Sequence, residues 1–158
     1  MADNDANLPS HEIKFHRIRP GAVMPKKNSE QAAAFDLYIP EGIQPERVPI
    51  YRGQVFSIPL GFSTEIPEGY YGQIQIRSSL GKKGLIIPNA PGIVDSDYRG
   101  EWKMMLWNLL SEPYVLIGGD RVAQVIFLPC PNFTWKEVEP EKLTKTRRGY
   151  GGFGSTGR

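Results

Sequence analysis

Five short stretches of the chain hold residue types that could do chemistry together. Gly92-Ile93-Val94-Asp95-Ser96-Asp97-Tyr98-Arg99-Gly100 sets a carboxylate directly after two β-branched apolar residues. A carboxylate leaving a buried strand at a loop mouth can take a proton from a water held in line with an electrophile. Taken alone, the string is better read as a hairpin whose Asp and Ser side chains satisfy the turn. Ile76-Arg77-Ser78-Ser79-Leu80-Gly81 breaks an alternating pattern with a guanidinium and two hydroxyls. Arginine matches phosphate oxygens in a fork, and a hydroxyl or N–H at a helical turn can donate to a bridging oxygen. A helix cap beside a surface arginine is the competing account.

Two further stretches carry a polar group into an apolar strand: Gly119-Asp120-Arg121-Val122-Ala123-Gln124 and Ala33-Ala34-Phe35-Asp36-Leu37. A backbone-satisfied amide and a turn-capping aspartate account for them equally well. The chain ends in KLTKTRRGYGGFGSTGR, with glycine at 149, 151, 152, 154 and 157. Glycine-rich termini are usually floppy tails. This one, however, carries Arg147 and Arg148, an aromatic (Phe153) amid glycines, and Ser155-Thr156. Those are a cationic fork, a stacking face and hydroxyl donors, the parts of a flap that orders over a phosphorylated, base-containing ligand.

Composition narrows the chemistry further. One cysteine, Cys130, excludes an internal disulfide and a multi-cysteine zinc site. The two histidines, His11 and His16, are five residues apart and read as surface residues near a terminus, so the chemistry proceeds without histidine. No G-x-x-x-x-G-K-[ST] occurs, which excludes a P-loop. A formal net charge of +2 suits a small anionic ligand better than a nucleic acid. No apolar run approaches a bilayer span, and MADNDANLPS has neither the charge nor the apolar run of a signal peptide. The expectation is a soluble intracellular protein, cytoplasmic by default, with no membrane and no nucleic acid among its partners.

The elements that must position these groups are strands. In 158 residues there are 17 glycines and 14 prolines, a density of breakers that argues against helices. Ile13 and Phe15, then Phe56 to Ser63, then Tyr70 to Ile76 alternate with period two, each stretch reading as a strand with one buried face. Trp102 to Leu110 and Val122 to Leu128 are apolar on both parities, so both faces are expected to be covered. Turns are expected at Pro40-Glu41-Gly42, Arg52-Gly53, Pro67-Glu68-Gly69, Tyr98-Arg99-Gly100 and Gly118-Gly119. One helical turn is expected near Ser79 to Lys83. This is the pattern of a sandwich, jelly roll or barrel. The division expected is a lead-in over 1–11, a β domain over 12–141, and a glycine-rich arm over 142–158 closing over an active site.

The five stretches occur in one order, and in that order the chain resembles the trimeric deoxyuridine triphosphate nucleotidohydrolases (dUTPases). The matching motifs are AAAFDL (32–37), RSSLG (77–81), GIVDSDYRG (92–100), GDRVAQVI (119–126) and RRGYGGFGSTG (147–157). The resemblance spans about residues 12 to 158, and its third and fifth motifs are highly specific. It implies an all-β, distorted jelly-roll or β-barrel fold, a homotrimer with active sites between subunits, and a mobile C-terminal arm reaching onto another subunit's site. A third layer supplied by another subunit would explain the doubly covered strands.

The resemblance also implies roles. Asp95 matches the general base that activates water against the α-phosphorus of dUTP, giving dUMP, the precursor for thymidylate synthesis, and pyrophosphate. Tyr98 matches the aromatic that packs on deoxyribose and leaves no room for a 2′-hydroxyl. Asn89 and the backbone around Gly92, Val94 and Lys103 match the hairpin that reads uracil. Arg77, Ser78, Ser79 and Gln124 match phosphate contacts. Arg148, Gly154, Ser155 and Thr156 match the arm closing on the γ-phosphate end, with Phe153 stacked on uracil. Asp36 matches an acidic residue near a Mg²⁺ held mainly by the triphosphate, reached through water. Ile76, Ser79 and Ala34 depart from the residues common there, and Pro91 cannot donate an N–H within the hairpin.

Two other readings fit the same fold. A deoxycytidine triphosphate deaminase shares the Arg-Ser-Ser-Leu stretch but needs a carboxylate where this chain has Met105, and an apolar side chain cannot shuttle protons. A non-catalytic, nucleotide-responsive partner-binding trimer is possible on fold alone. It predicts a degraded Asp95, Tyr98 or tail, and all three are intact.

Overall fold

Alternating apolar residues build an all-β domain, and the computed structural model describes residues 11–152. Among these, β1 (Lys14–Arg17) pairs with β5 (Phe62–Glu65), and β3 (Arg47–Ile50) with β10 (Tyr114–Ile117). β4 (Val55–Pro59), β9 (Lys103–Asn108) and β7 (Leu85–Ile86) form a three-stranded sheet centred on β9. The largest sheet runs in the order β2 (Phe35–Tyr38), β11 (Arg121–Pro129), β6 (Tyr70–Ile76) and β8 (Gly92–Val94). Every named strand pair is antiparallel. The expected helical turn is present as α1 (Ser78–Gly81), one residue earlier than anticipated.

The inward faces meet in one core that includes Phe62, Ile58, Leu37, Leu106, Val125 and Trp102. Trp102 is fully buried, tilted on Phe62 at 5.2 Å between centroids, and its indole N–H donates to Thr64 Oγ1 at 3.1 Å. A buried tryptophan keeps its apolar gain only if the N–H finds such a partner.

Three expectations need adjustment. The alternating stretch from Phe56 to Ser63 is two strands, because Gly61 takes φ +79 and turns the chain between them. A Cβ there would lie 2.9 Å from Ala22 Cβ, so both the dihedral and the space call for glycine. The β3–β10 ribbon has no clean alternation in the sequence. Pro49 is tolerated because β3 pairs on one side only. The strands apolar on both parities are half-covered rather than doubly buried in the single chain. Met104 and Leu106 are buried while Met105 and Trp107 are half-buried, and Ile126, Phe127 and Leu128 likewise remain partly open. Beyond Pro129 no further strand forms among the described residues, and Phe133, Trp135 and Tyr150 stand in solvent. No helix among the described residues is long and apolar enough to cross a membrane.

One buried polar residue fastens two sheets. Asn108 is 0% exposed; its amide donates to the carbonyls of Ile50 at 2.8 Å and Glu112 at 2.9 Å, and its Oδ1 accepts the Leu110 N–H at 2.8 Å. Asn108→Ala strands all three backbone groups, and should destabilise the fold by about 2–4 kcal/mol in a denaturant titration.

Candidate active site

The site grows from a bulge in β11. Gln124 pairs with Asp36 on one side and with Gln75 on the other, so the three lie in one row across the large sheet. Strict alternation would then turn Val122 outward and Arg121 inward. Instead the β2 register shifts between Arg121 and Ala123, with Arg121 opposite Tyr38. Val122 and Ala123 both point into the core at 0% exposure, which returns Arg121 to the outer face beside Asp36. A bulge re-aiming one side chain next to a site is its common use.

Asp36 is bracketed by two guanidinium groups. Arg77 Nε lies 3.1 Å from Oδ1 and Arg121 Nη1 lies 3.3 Å from Oδ2, while the Asn28 amide also donates to Oδ2. The carboxylate side chain is 11% exposed and the two arginine side chains 25% and 43%, so the anion sits deep and the cations face out. One negative charge between two positive ones leaves a net positive floor with guanidinium N–H groups unspent.

Around that floor lies an open groove of about 610 Å³. Its walls hold Asp36 from β2, Gln73 and Gln75 along β6, Arg77 just beyond it, Ser78 and Ser79 on α1, and Arg121 and Gln124 from β11. α1 follows β6 directly, with Arg77 extended before it and no side-chain cap, so the Ser78 and Ser79 hydroxyls are not spent on capping. All five sequence motifs bear predicted site residues within the described part, and three of the five meet here.

The third and fifth do not. Asn89, Asp95, Tyr98 and Lys103 lie outside these walls. Gly92 and Val94 are buried in the edge strand β8, paired with Ile74 and Gly72 of β6, and Asp95 emerges exposed just beyond. The loop after it is self-bonded. The Tyr98 N–H donates to the Asp95 carbonyl at 3.2 Å, Arg99 Nη1 donates to the Ser96 carbonyl at 2.7 Å, and Tyr98 Oη donates to the Glu101 carbonyl at 3.1 Å. Glu101 has its carboxyl held below the usual range, first by the hydrogen bond from Arg19. On the arm, Arg148 Nε bonds the Gly151 carbonyl at 2.8 Å, away from the groove. Phe153, Gly154, Ser155 and Thr156 lie outside the described residues.

Arg121, Asn28, Gln73 and Gln75 were not singled out by sequence reasoning. Arg121 stood in view within Gly-Asp-Arg-Val-Ala-Gln, yet nothing in that string announces the bulge.

The pattern of the dUTPase family matches residues 21–157. The chain belongs to the dUTPase family. It is 46% identical over 150 residues to a deoxyuridine 5'-triphosphate nucleotidohydrolase of Caulobacter vibrioides, covering 92% of this chain and 94% of that protein. It is 41% identical over 149 residues to the enzyme of that name from Anaplasma marginale, covering 92% and 98%. Among solved structures, a variant of Staphylococcus bacteriophage 80alpha dUTPase with dUpNHpp superposes at a TM-score of 0.80 with 22% identity, covering 94% of this chain and 100% of that one. A dUTPase of phage phi11 of S. aureus, described with a structural Mg(II) ion, superposes at 0.73 with 22% identity, covering 84% and 100%. The distorted jelly roll of the dUTPase family is thus the fold of this chain.

Within that fold, Asp36 holds both arginines in place. Asp36→Asn removes the charge that holds them side by side, and affinity for a non-hydrolysable dUTP analogue should fall about tenfold in calorimetry, each lost charge-assisted bond costing about 1.5–3 kcal/mol against partial rearrangement.

Proposed function

We propose that the protein hydrolyses dUTP to dUMP and pyrophosphate by attack of water on the α-phosphorus. The observation that carries this is the groove in which Arg77, Arg121, Ser78, Ser79 and Gln124 converge on one anion-sized floor in a chain of the dUTPase family. Relatives named for this reaction, over 40% identical across most of both chains, support it. The product dUMP would serve thymidylate synthesis and the reaction would keep dUTP low. A soluble, cytoplasmic setting belongs to the same proposal.

A triphosphate carries about four negative charges, so catalysis here is chiefly positioning and charge neutralisation. Arg77 and Arg121, held side by side by Asp36, meet the phosphate oxygens, and the two serine hydroxyls and the Gln124 amide donate from the sides. Asp95 takes the proton of the attacking water. Tyr98 packs on the deoxyribose, while the backbone of Gly92 and Val94, with Asn89 and Lys103, reads uracil. A thymine methyl would clash there and cytosine would present the wrong donors.

No group of three or more acidic, histidine or cysteine side chains that could hold a metal occurs among the described residues. A Mg²⁺ carried by the triphosphate and water needs only one or two carboxylates, and the phi11 relative's ion supports magnesium. With both oxygens of Asp36 already engaged by Arg77, Arg121 and Asn28, that carboxylate would act through water. When bound, the ion would neutralise phosphate charge as a Lewis acid.

The separation of Asp95 from the groove supports the homotrimer of the proposal. One copy would offer the phosphate groove, a second the Asp95–Tyr98 loop, and the arm with Arg148, Phe153, Gly154, Ser155 and Thr156 would close over both. The half-covered faces of β9 and β11 would give such copies apolar area to bury.

Pyrophosphate release with Mg²⁺ from dUTP, against dCTP, dTTP and UTP, tests the reaction. Asp95→Asn should lower kcat about 10²–10⁴-fold with nucleotide binding retained, the usual contribution of a positioned base. Release from none of the four nucleotides would overturn the proposal. Deleting 147–158 should leave a folded oligomer with little activity, because stacking and water exclusion are lost. Full activity after the deletion would remove the arm's role as a lid.

A further inference from the structure

Arg19, Gly61 and Glu101 are bonded in a closed ring. The Gly61 carbonyl accepts the N–H groups of Ile18 at 2.8 Å and Arg19 at 3.0 Å. The Arg19 guanidinium forks onto Glu101, Nε to Oε1 at 2.7 Å and Nη2 to Oε2 at 2.9 Å. Glu101 Oε1 completes the ring by accepting the Gly61 N–H at 3.1 Å. The Glu101 side chain is only 14% exposed. Its neighbour Trp102 is clamped by the backbone on both sides, its carbonyl accepting from Leu60 N–H at 2.8 Å and its N–H donating to Phe62 O at 2.9 Å. Position 101 therefore has little freedom to shift.

The ring of Tyr98 hangs from this fixed point. Its hydroxyl donates to the Glu101 carbonyl at 3.1 Å, and it lies across Gly100, where a Cβ would collide with the phenol. The residue is otherwise 45% exposed. An aromatic on an open loop can exclude a single hydroxyl only if it cannot retreat by about an ångström, a displacement that can change rates by about 10²-fold. Here the only side-chain hydrogen bond of that ring among the described residues goes to the backbone of Glu101.

We propose that Arg19 and Glu101 are positioning residues that hold the ring of Tyr98 and thereby set the discrimination between deoxyribose and ribose nucleotides. The inference rests on the reading of dUTP hydrolysis given above. Exposed ion pairs contribute little as a rule. This one is forked, is largely shielded on the glutamate side, and shares an oxygen with a backbone N–H, all of which turn it from a surface pair into a staple. A staple serving stability alone would change melting temperature and leave substrate preference untouched, which separates the two roles.

The test uses the full chain with Arg19→Met, which keeps most of the stem and loses the fork. Glu101→Gln keeps an acceptor for Gly61 but loses the charge. Tyr98→Phe leaves the ion pair intact and cuts only the bond to the Glu101 carbonyl. For each, kcat and KM are measured on dUTP and UTP beside a thermal melt. The ratio of kcat/KM for dUTP over UTP should fall about tenfold in all three, through improved use of UTP, with kcat on dUTP within about threefold of the parent for Arg19→Met and Glu101→Gln. An unchanged ratio in any folded variant of the pair, or in Tyr98→Phe, overturns the inference. A parent that cleaves dUTP and UTP equally overturns the inference alone. A parent that cleaves neither overturns the functional proposal and the inference with it.

Discussion

A carboxylate lodged between two guanidinium groups is the constraint around which the groove is arranged. Asp36 is nearly buried, and a lone charge at that depth would be costly to desolvate. Arg77 and Arg121 compensate it, and in turn the carboxylate keeps two like charges side by side that would otherwise separate. The three ends of this bridge arrive from β2, from β11 and from the residue just past the end of β6. β2, β6 and β11 must therefore hold their register for the positive floor to exist, and the row Asp36, Gln124, Gln75 records that register.

The residues proposed to do the chemistry fall in two places with different mechanical supports. The groove is built chiefly on β11 and β6, the two central strands of the large sheet, with β2 beside β11 at its edge, which suits a site meant to hold a highly charged group without rearranging. The Asp95–Tyr98 loop hangs from the edge strand β8, and its order comes from local bonds through Arg99 and from the Glu101 staple. Arg19 enters that staple from the end of β1, so the first strand of the fold contributes to the placement of a residue some eighty positions later. The arrangement also explains why the lead strand is tied so firmly to the turn at Gly61.

A segment outside any strand follows β11, with Phe133 and Trp135 in solvent, and the outer faces of β9 and β11 are only half covered. Apolar area left open on a small domain is unfavourable unless something else covers it. The same apolar parities that mark those strands as doubly covered in sequence thus describe a surface as well as a core. That is the physical link between the division of the site and the proposed assembly of several copies.

Strand content, turn positions and the order of the motifs were legible in the sequence by itself. Period-two alternation, punctuating glycines and a breaker-rich composition are local properties, and the residues proposed to touch phosphate, sugar and base are recognisable as types in fixed order. Even Asp95 could be placed at a loop mouth from its two apolar predecessors. What the tertiary structure alone decided is which of those groups face one another. The bulge that turns Arg121 toward Asp36 depends on pairing with β2, roughly eighty-five residues away, and shifts every side chain beyond it to the other face. The break at Gly61, the staple from Arg19 to Glu101 and the absence of Asp95 from the groove are likewise outcomes of long-range pairing. Pattern along a chain reports which face of an element is apolar. Register between distant elements settles which polar groups meet, because a shift of one residue inverts the outcome without altering the pattern.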